Sequence, residues 1–391
     1  MHLDLTPAQR DLRDELRHYF AGLLSPAERR ALLRERHGRT YREVVRRLGR
    51  DGWLGVGWPV EYGGHGFGDI EQHLFVDEAA RAEIPLPSVT LQTVGPTLQA
   101  HGTPEQKAFF LPKILDGEVH FAIGYSEPDA GTDLAALRTS AVRRDGDYVV
   151  NGQKIFTTGG HDADYVWLAV RTDPDAPPHR GISILIVDTR DPGYSWTPII
   201  TCDGAHHVNA TFYTDVRVPE SMLVGRENEG WSLITTQLNH ERVMLGPAGR
   251  IGGVYDRVRT WAAARTTPGG TPLLELADVR AALAEAFAVS RINELLNWQV
   301  AAASSADKRT RVADASATKI FGSERYQRVG RLLEEIVARH GDPTDPETAE
   351  LAESLDVLAR RYLVLTFGGG VNEIQRELIA SVGLGLPRVP R

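Results

Sequence analysis

The chain has a single cysteine, Cys202, in 391 residues, so no internal disulfide can form. No motif surrounds Cys202 that would make it a nucleophile. Long apolar runs are also missing. The stretch Ile-Ser-Ile-Leu-Ile-Val at 182–187 is strand-sized, far short of the roughly 20 residues that span a bilayer. The first residues are polar at once and carry no apolar signal core. Excess positive charge is absent too: 44 Lys and Arg against 52 Asp and Glu leave a net charge of -8, which argues against a nucleic-acid partner. His206-His207 has no third ligand at suitable spacing, so no metal site is expected. No repeat or low-complexity tract is visible. These absences predict a cytoplasmic protein with no membrane or nucleic-acid partner.

What remains is an ordinary globular composition, 42% hydrophobic and 25% charged, on a chain too long for one core. Residues 1–118 read as helical. Thr6-Pro7 is a capped helix start, and further helices are expected near 70–82 and 104–116. A loop rich in turn residues, Gly-Trp-Pro-Val-Glu-Tyr-Gly-Gly-His-Gly-Phe-Gly, fills 57–68. From 119 to 228 the pattern changes to short apolar or alternating runs between turns. Asp145-Gly146 and Asn151-Gly152 bracket Tyr148-Val149-Val150 as hairpin signals. Helical periodicity returns over 229–391, predicting long helices at 230–262, 274–302, 311–339 and 347–366. The reading is mainly α with a central β-domain: a helical domain, a barrel or sandwich, and a four-helix bundle.

Two stretches stand out within the β-domain. Tyr-Ser-Glu-Pro-Asp-Ala-Gly-Thr-Asp at 125–133 is a strand entering a Gly- and hydroxyl-rich loop. Asn-Gly-Gln-Lys-Ile-Phe-Thr-Thr-Gly-Gly at 151–160 follows after a hairpin. Such a loop offers N–H and hydroxyl groups to a planar cofactor or a phosphate, although alone it could equally be a connecting turn. Together the two resemble the acyl-CoA dehydrogenase family. The resemblance extends to Leu-Thr-Pro-Ala-Gln-Arg at the start, to 54–66, and to Phe-Tyr-Thr-Asp-Val-Arg-Val-Pro-Glu-Ser-Met-Leu-Val-Gly at 212–225. It implies the acyl-CoA dehydrogenase fold and FAD as cofactor. Tyr125, Ser126, Gly131 and Thr132 should then line the flavin, with Thr132 also near the thioester. Phe156, Thr157 and Thr158 should pack on the ring and bond its polar edge.

α,β-Dehydrogenation of an acyl-CoA needs a carboxylate to remove the α-proton, and many members carry it as Glu before an Ile-Gln-Arg stretch. Here, in Thr-Phe-Gly-Gly-Gly-Val-Asn-Glu-Ile-Gln-Arg at 366–376, that position is Gly369, whose N–H could still serve the thioester oxygen. A second placement, shared with isovaleryl-CoA dehydrogenase and its relatives, matches Thr-Gln-Leu-Asn-His-Glu-Arg at 236–242. Ile234, Leu238, Glu241 and Leu245 would share one helix face, and Glu241 is its only acid. Glu241 is therefore the expected base, with Asn239 and Arg242 near the substrate. Motifs by which members reach a neighbouring subunit's FAD are degenerate: Arg-Thr-Thr-Pro-Gly-Gly at 265–270, Ala277 at a usual Gln, and Val-Ala-Arg-His-Gly-Asp-Pro at 337–343. That points to a hetero-oligomer, an α2β2 tetramer with a second acyl-CoA dehydrogenase-like subunit. The sequence is similar to the steroid side-chain branch of the family. This implies a bulky acyl-CoA substrate such as 3-oxo-4-pregnene-20-carboxyl-CoA, and electron-transfer flavoprotein as acceptor. A branched short-chain dehydrogenase and a non-catalytic partner subunit are the alternatives.

Overall fold

A computed structural model describes residues 4–235, 237, 246–307 and 312–387. Among the described residues the elements follow the expected order: helical, β, helical. Contacts divide the chain into two compact units, Met1–Pro26, Gly68–Pro85 and Arg242–Arg391 in one, Ala27–Phe67 and Leu86–Glu241 in the other.

The first unit joins α1 (Pro7–Leu23) and α4 (Asp69–Arg81) to α7 (Gly249–Ala263), α8 (Ala277–Asp307), α9 (Val312–His340), α10 (Pro346–Arg361) and α11 (Asn372–Leu378). Helix α1 begins at a full capping box, in which Thr6 and Gln9 satisfy each other's backbone N–H groups. Its Arg17 makes a two-pronged bond to buried Glu78 of α4, at 2.9 and 2.6 Å. The core between α7, α8, α9 and α10 is built from Ile251, Val258, Trp261, Leu283, Leu333 and Leu355. The helix expected over 230–262 is interrupted. Residues 246–248 are not helical, because Pro247 supplies no N–H and disfavours helical backbone at Gly246. Two buried asparagines, Asn293 and Asn297 of α8, donate to the Gly246 carbonyl at 2.9 and 2.8 Å and fix this break.

The second unit holds α2 (Pro26–Arg34), α3 (Arg39–Arg50), α5 (Gly95–His101) and α6 (Pro104–Leu115) with all eight strands. The strands form one sheet in the order β6 (Tyr194–Ile200), β7 (His206–Pro219), β3 (Asp147–Thr158), β2 (Ser140–Arg144), β4 (Tyr165–Arg171), β5 (Ile182–Asp188) and β8 (Leu223–Val224), with β1 (Phe121–Gly124) parallel to β4. Strands β2 (Ser140–Arg144) and β3 (Asp147–Thr158) are joined as expected by Asp145-Gly146, both at positive φ. The second turn signal is corrected. Asn151-Gly152 lies inside β3, where the ladder to β7 (His206–Pro219) slips by a bulge. A Cβ at Gly152 would sit 2.5 Å from the Thr139 side chain, so the glycine serves close approach and not a reversal. Tyr148, Val166, Leu168, Leu185, Val187 and Val216 form the core of the sheet. No described helix is long and apolar enough to cross a membrane.

Candidate functional site

Strand β3 carries a second irregularity, between Lys154 and Thr157. Phe156 sits there at φ 60°, a left-handed conformation that is a true outlier for an aromatic residue. The bulge turns its ring outward, leaving it 62% exposed where most large apolar side chains of the sheet are buried. Thr158 is also exposed. Thr157 points the other way: it is buried, with its hydroxyl on Thr211 at 3.1 Å. Its side chain is thus committed to the sheet, and its carbonyl accepts from Asn209 Nδ2 at 3.1 Å and from Gly160 N–H at 3.3 Å.

The 125–132 loop is bound to this bulge. Ile155 N–H donates to the Ser126 carbonyl at 2.8 Å. Lys154, fully buried, donates through Nζ to the Tyr125 carbonyl at 3.1 Å and to Glu127 Oε1 at 2.8 Å. Glu127 also accepts N–H bonds from Arg138 and Thr139 at 2.7 and 2.8 Å. Burial lowers the Lys154 ammonium to about 8 against the pull of Glu127's charge. For Glu127, burial acts upward, but the Lys154 charge and the Thr139 bonds outweigh it, so its carboxyl is lowered and stays ionised. A buried, fully bonded ion pair of this kind fixes geometry more than it adds stability. Here it ties the two expected cofactor motifs into one rigid surface. Sequence reasoning missed this pair; the Lys and Glu were both visible, but their pairing required the fold.

Tyr125 faces inward. Its hydroxyl accepts from Trp167 Nε1 at 3.2 Å and donates to Gln237 Oε1, whose Nε2 in turn donates to Thr97 at 3.0 Å. The helical segment 230–235 and Gln237 is thereby attached to the loop by a buried polar chain. Ile234 of the expected apolar face is fully buried. Asn239, Glu241 and Arg242 lie outside the described residues. Gly131 and Thr132 are exposed, and a Cβ on Gly131 would meet nothing within 4 Å.

Gly369 belongs to the other unit. It and Gly370 have φ of 66° and 86°, left-handed values that explain glycine at both positions. Their carbonyls are both occupied. Gln375 Nε2 donates to Gly369 O at 3.1 Å, and Lys319 Nζ donates to Gly370 O at 2.8 Å. Neither Gly369 N–H nor Gly370 N–H donates to any described residue. In the same unit, the degenerate motifs are turned inward. Arg265 donates to Asp345 at 2.6 Å and to Glu347 at 2.9 Å, and His340 pairs with Asp278 at 2.8 Å. His206 and His207 bond Asn209 and Asp203, and the described residues contain no group of three or more His, Cys, Asp or Glu arranged to hold a metal.

The helical–β–helical order, with a strained, exposed aromatic beside a hydroxyl-rich loop, agrees with the family models that match the chain. The acyl-CoA dehydrogenase N-terminal domain matches residues 6–118, the middle domain 122–217 and the C-terminal domain 228–384. The chain belongs to the acyl-CoA dehydrogenase family of oxidoreductases. It is 66% identical to acyl-CoA dehydrogenase FadE29 of Mycobacterium tuberculosis over 391 residues, covering 100% of both chains. Among solved structures it resembles a chain of the ChsE4-ChsE5 complex from Mycobacterium tuberculosis, with TM-score 0.90, 49% identity and 100% of both chains covered. It also resembles a chain of the Tcur3481-Tcur3483 steroid ACAD, with TM-score 0.92, 49% identity and 100% coverage of both.

Family members are generally FAD-dependent. The residues present fit such a group. Phe156 offers an exposed ring, Thr132 and Thr158 offer exposed hydroxyls, and open space lies over Gly131. On this chain Ser126, Gly131, Thr132, Phe156 and Thr158 would hold it, whereas the hydroxyl and carbonyl of Tyr125 and of Thr157, expected to face the cofactor, are engaged within the chain.

Proposed function

We propose that this chain is the base-bearing subunit of a heteromeric, FAD-dependent acyl-CoA dehydrogenase. Its substrate is a bulky, α-branched thioester, a steroid side-chain CoA such as 3-oxo-4-pregnene-20-carboxyl-CoA. The observation that carries the reading is the triple-glycine turn. It has two N–H groups with no described acceptor and two engaged carbonyls, and it has no side chain where many relatives carry the base. Such a turn can receive an oxyanion and leaves room for a branched acyl group, but it cannot take a proton.

The proton must then go elsewhere. Glu241 follows Gln237 by four residues, one helical turn in sequence, and Gln237 is bonded to Tyr125 of the cofactor loop. In the proposed reaction Glu241 removes the α-proton while Gly369 N–H holds the thioester oxygen as negative charge builds on it. Asn239, Arg242 and Thr132 orient the substrate. When bound, FAD supplies the acceptor for the β-hydride. The chain's own residues orient the α-carbon, accept its proton and steady the oxyanion. Electron-transfer flavoprotein is the proposed onward acceptor. A second acyl-CoA dehydrogenase-like subunit, in an α2β2 assembly, completes the cofactor site; the two structural neighbours are themselves named as pairs of subunits.

Glu241→Gln in the assembled complex tests the base. Turnover should fall by at least about 10³-fold, as for loss of a general base, with FAD content unchanged. Full retained activity with the same FAD content would remove Glu241 from this role.

A further inference from the structure

The triple-glycine turn is held from beneath by side chains that neither the sequence motifs nor the family models assign. Lys319 and Ser316 of α9 and Gln375 of α11 are almost completely buried, at 3%, 0% and 1% exposure. Lys319 Nζ donates to Gly370 O at 2.8 Å and to Asn372 Oδ1 at 2.6 Å. Gln375 Nε2 donates to Gly369 O at 3.1 Å, and its Oε1 accepts from Ser316 Oγ at 2.7 Å. That second bond fixes which end of the amide faces the turn, since only the NH2 end can donate to a carbonyl. Asn372 is in turn oriented by bonds from its Nδ2 to Ser323 and Glu324, both at 3.1 Å.

The consequence is geometric. In a trans peptide the C=O and the following N–H point in opposite directions. With Gly369 O drawn inward to Gln375, Gly370 N–H is turned outward. With Gly370 O drawn inward to Lys319, the turn cannot flip to offer a carbonyl instead. A carbonyl facing a developing oxyanion would repel it; an N–H stabilises it, provided it is already aimed. Gly370 is also held to glycine by its φ of 86°, and a Cβ there would lie 2.7 Å from Gln375 Nε2 and displace that amide.

We infer that Lys319 and Gln375 are positioning residues for the reaction: by binding the Gly370 and Gly369 carbonyls they hold the backbone of the turn and keep Gly370 N–H, next to Gly369 N–H, aimed at the thioester oxygen. This rests on the proposed role of the triple-glycine turn as the site of the thioester oxygen. Burial lowers the Lys319 ammonium to about 8, opposed by Glu373 and Glu324, so it is mostly charged at neutral pH. A cation beneath the turn adds to its attraction for an anion.

The test uses the assembled, FAD-loaded complex with Lys319→Met, Lys319→Arg and Gln375→Glu. Gln375→Glu can still accept from Ser316 but cannot donate to Gly369 O. Two quantities are read. One is the rate of flavin reduction by the acyl-CoA substrate. The other is the infrared carbonyl stretch of the α,β-unsaturated product thioester, carbon-13 labelled at its carbonyl and bound to the oxidised complex. Lys319→Met and Gln375→Glu should each slow reduction about 10- to 100-fold, the scale expected when a catalytic donor is displaced rather than deleted. Ligand affinity should change less than about threefold. The red shift of the bound carbonyl should shrink in both, and Lys319→Arg should recover most of it. Should Lys319→Met not assemble, Gln375→Glu decides. Variants that lose thermal stability but keep the red shift and the rate would reduce these residues to a structural role and overturn the inference. A wild-type complex with no red shift relative to water would instead remove the thioester-binding role of the turn itself.

Discussion

Single residues in this chain carry costs that show where selection for stability was not the only demand. His73 of α4 is buried, and neither ring nitrogen has a hydrogen-bond partner among the described residues. Burial lowers its imidazole to about 4, only partly opposed by the charge of Glu294. The unfolded chain protonates this ring near pH 6.5, whereas the folded chain resists until about pH 4. Between those values the unfolded state binds one more proton, so the stability His73 allows at neutral pH is lost as pH falls. His73→Leu should therefore stabilise the protein, and by about 2 kcal/mol more at pH 5 than at pH 7.5. Urea denaturation of both proteins at the two pH values measures this, and an equal gain at both would refute it. At the same scale, the candidate site was only partly legible. The Tyr125–Thr132 and Phe156–Thr158 stretches could be proposed because together they resemble the family's motifs; their residue types alone left a connecting turn equally open. Phe156's left-handed backbone could not, because it comes from a bulge set by the pairing of β3 with β7. Nor could the inward turn of Thr157, or the Lys154–Glu127 pair, since both depend on which strand lies opposite.

Elements follow their local signals except where another element presses on them. The capped start at Thr6 and the Asp145-Gly146 hairpin were readable because all their partners lie within a few residues. The break at 246–248 was missed because apolar periodicity continues through Pro247 and hid it. The glycines of α7 are a tertiary signal of the same kind. A Cβ on Gly249 would lie 2.0 Å from the Asp77 carbonyl, and one on Gly253 would lie 2.2 Å from the Arg81 carbonyl. Both obstacles are backbone of α4 and cannot rotate away. Four residues apart on one helix face, these glycines let α4 and α7 pack backbone to backbone. Asp77 uses the closeness to accept the Gly249 N–H at 2.7 Å. By helix propensity alone Gly253→Ala would gain about 1 kcal/mol. Here it should instead cost about 1–3 kcal/mol, because the two helices must separate. A lower midpoint in urea at unchanged slope is the expected result. A raised midpoint would mean that α4 and α7 are not in this contact.

Over the whole molecule, the distribution of bonded and unbonded polar groups separates two tasks. The half of a cofactor site that this chain would keep for itself is preorganised: Phe156 is pushed out, the loop is pinned by Lys154, and Thr132 and Thr158 are exposed. The groups with which relatives reach across to a neighbour's flavin are occupied internally. Arg265 is clamped by Asp345 and Glu347, and its bond together with one from Thr348 lowers the Asp345 carboxyl to about 2. The pair therefore stays ionised across any working pH, and freeing Arg265 would mean breaking both contacts. His340 and Arg339 are likewise bound to Asp278. On the proposed heteromeric reading, a homo-oligomer of this chain would offer flavin sites that each lack their far side, whereas a partner with intact motifs would complete the site on this chain. The predicted outcome is little FAD on the chain purified alone, rising to about one per pair of chains when it is purified with its partner. Added FAD should raise the melting temperature of the pair and leave that of the lone chain nearly unchanged, since a ligand stabilises only the state that binds it. Absorbance at the flavin band against protein concentration settles the stoichiometry. A full complement of one FAD per chain in the lone protein would show that the degenerate motifs still serve, and the heteromeric reading would fall with them.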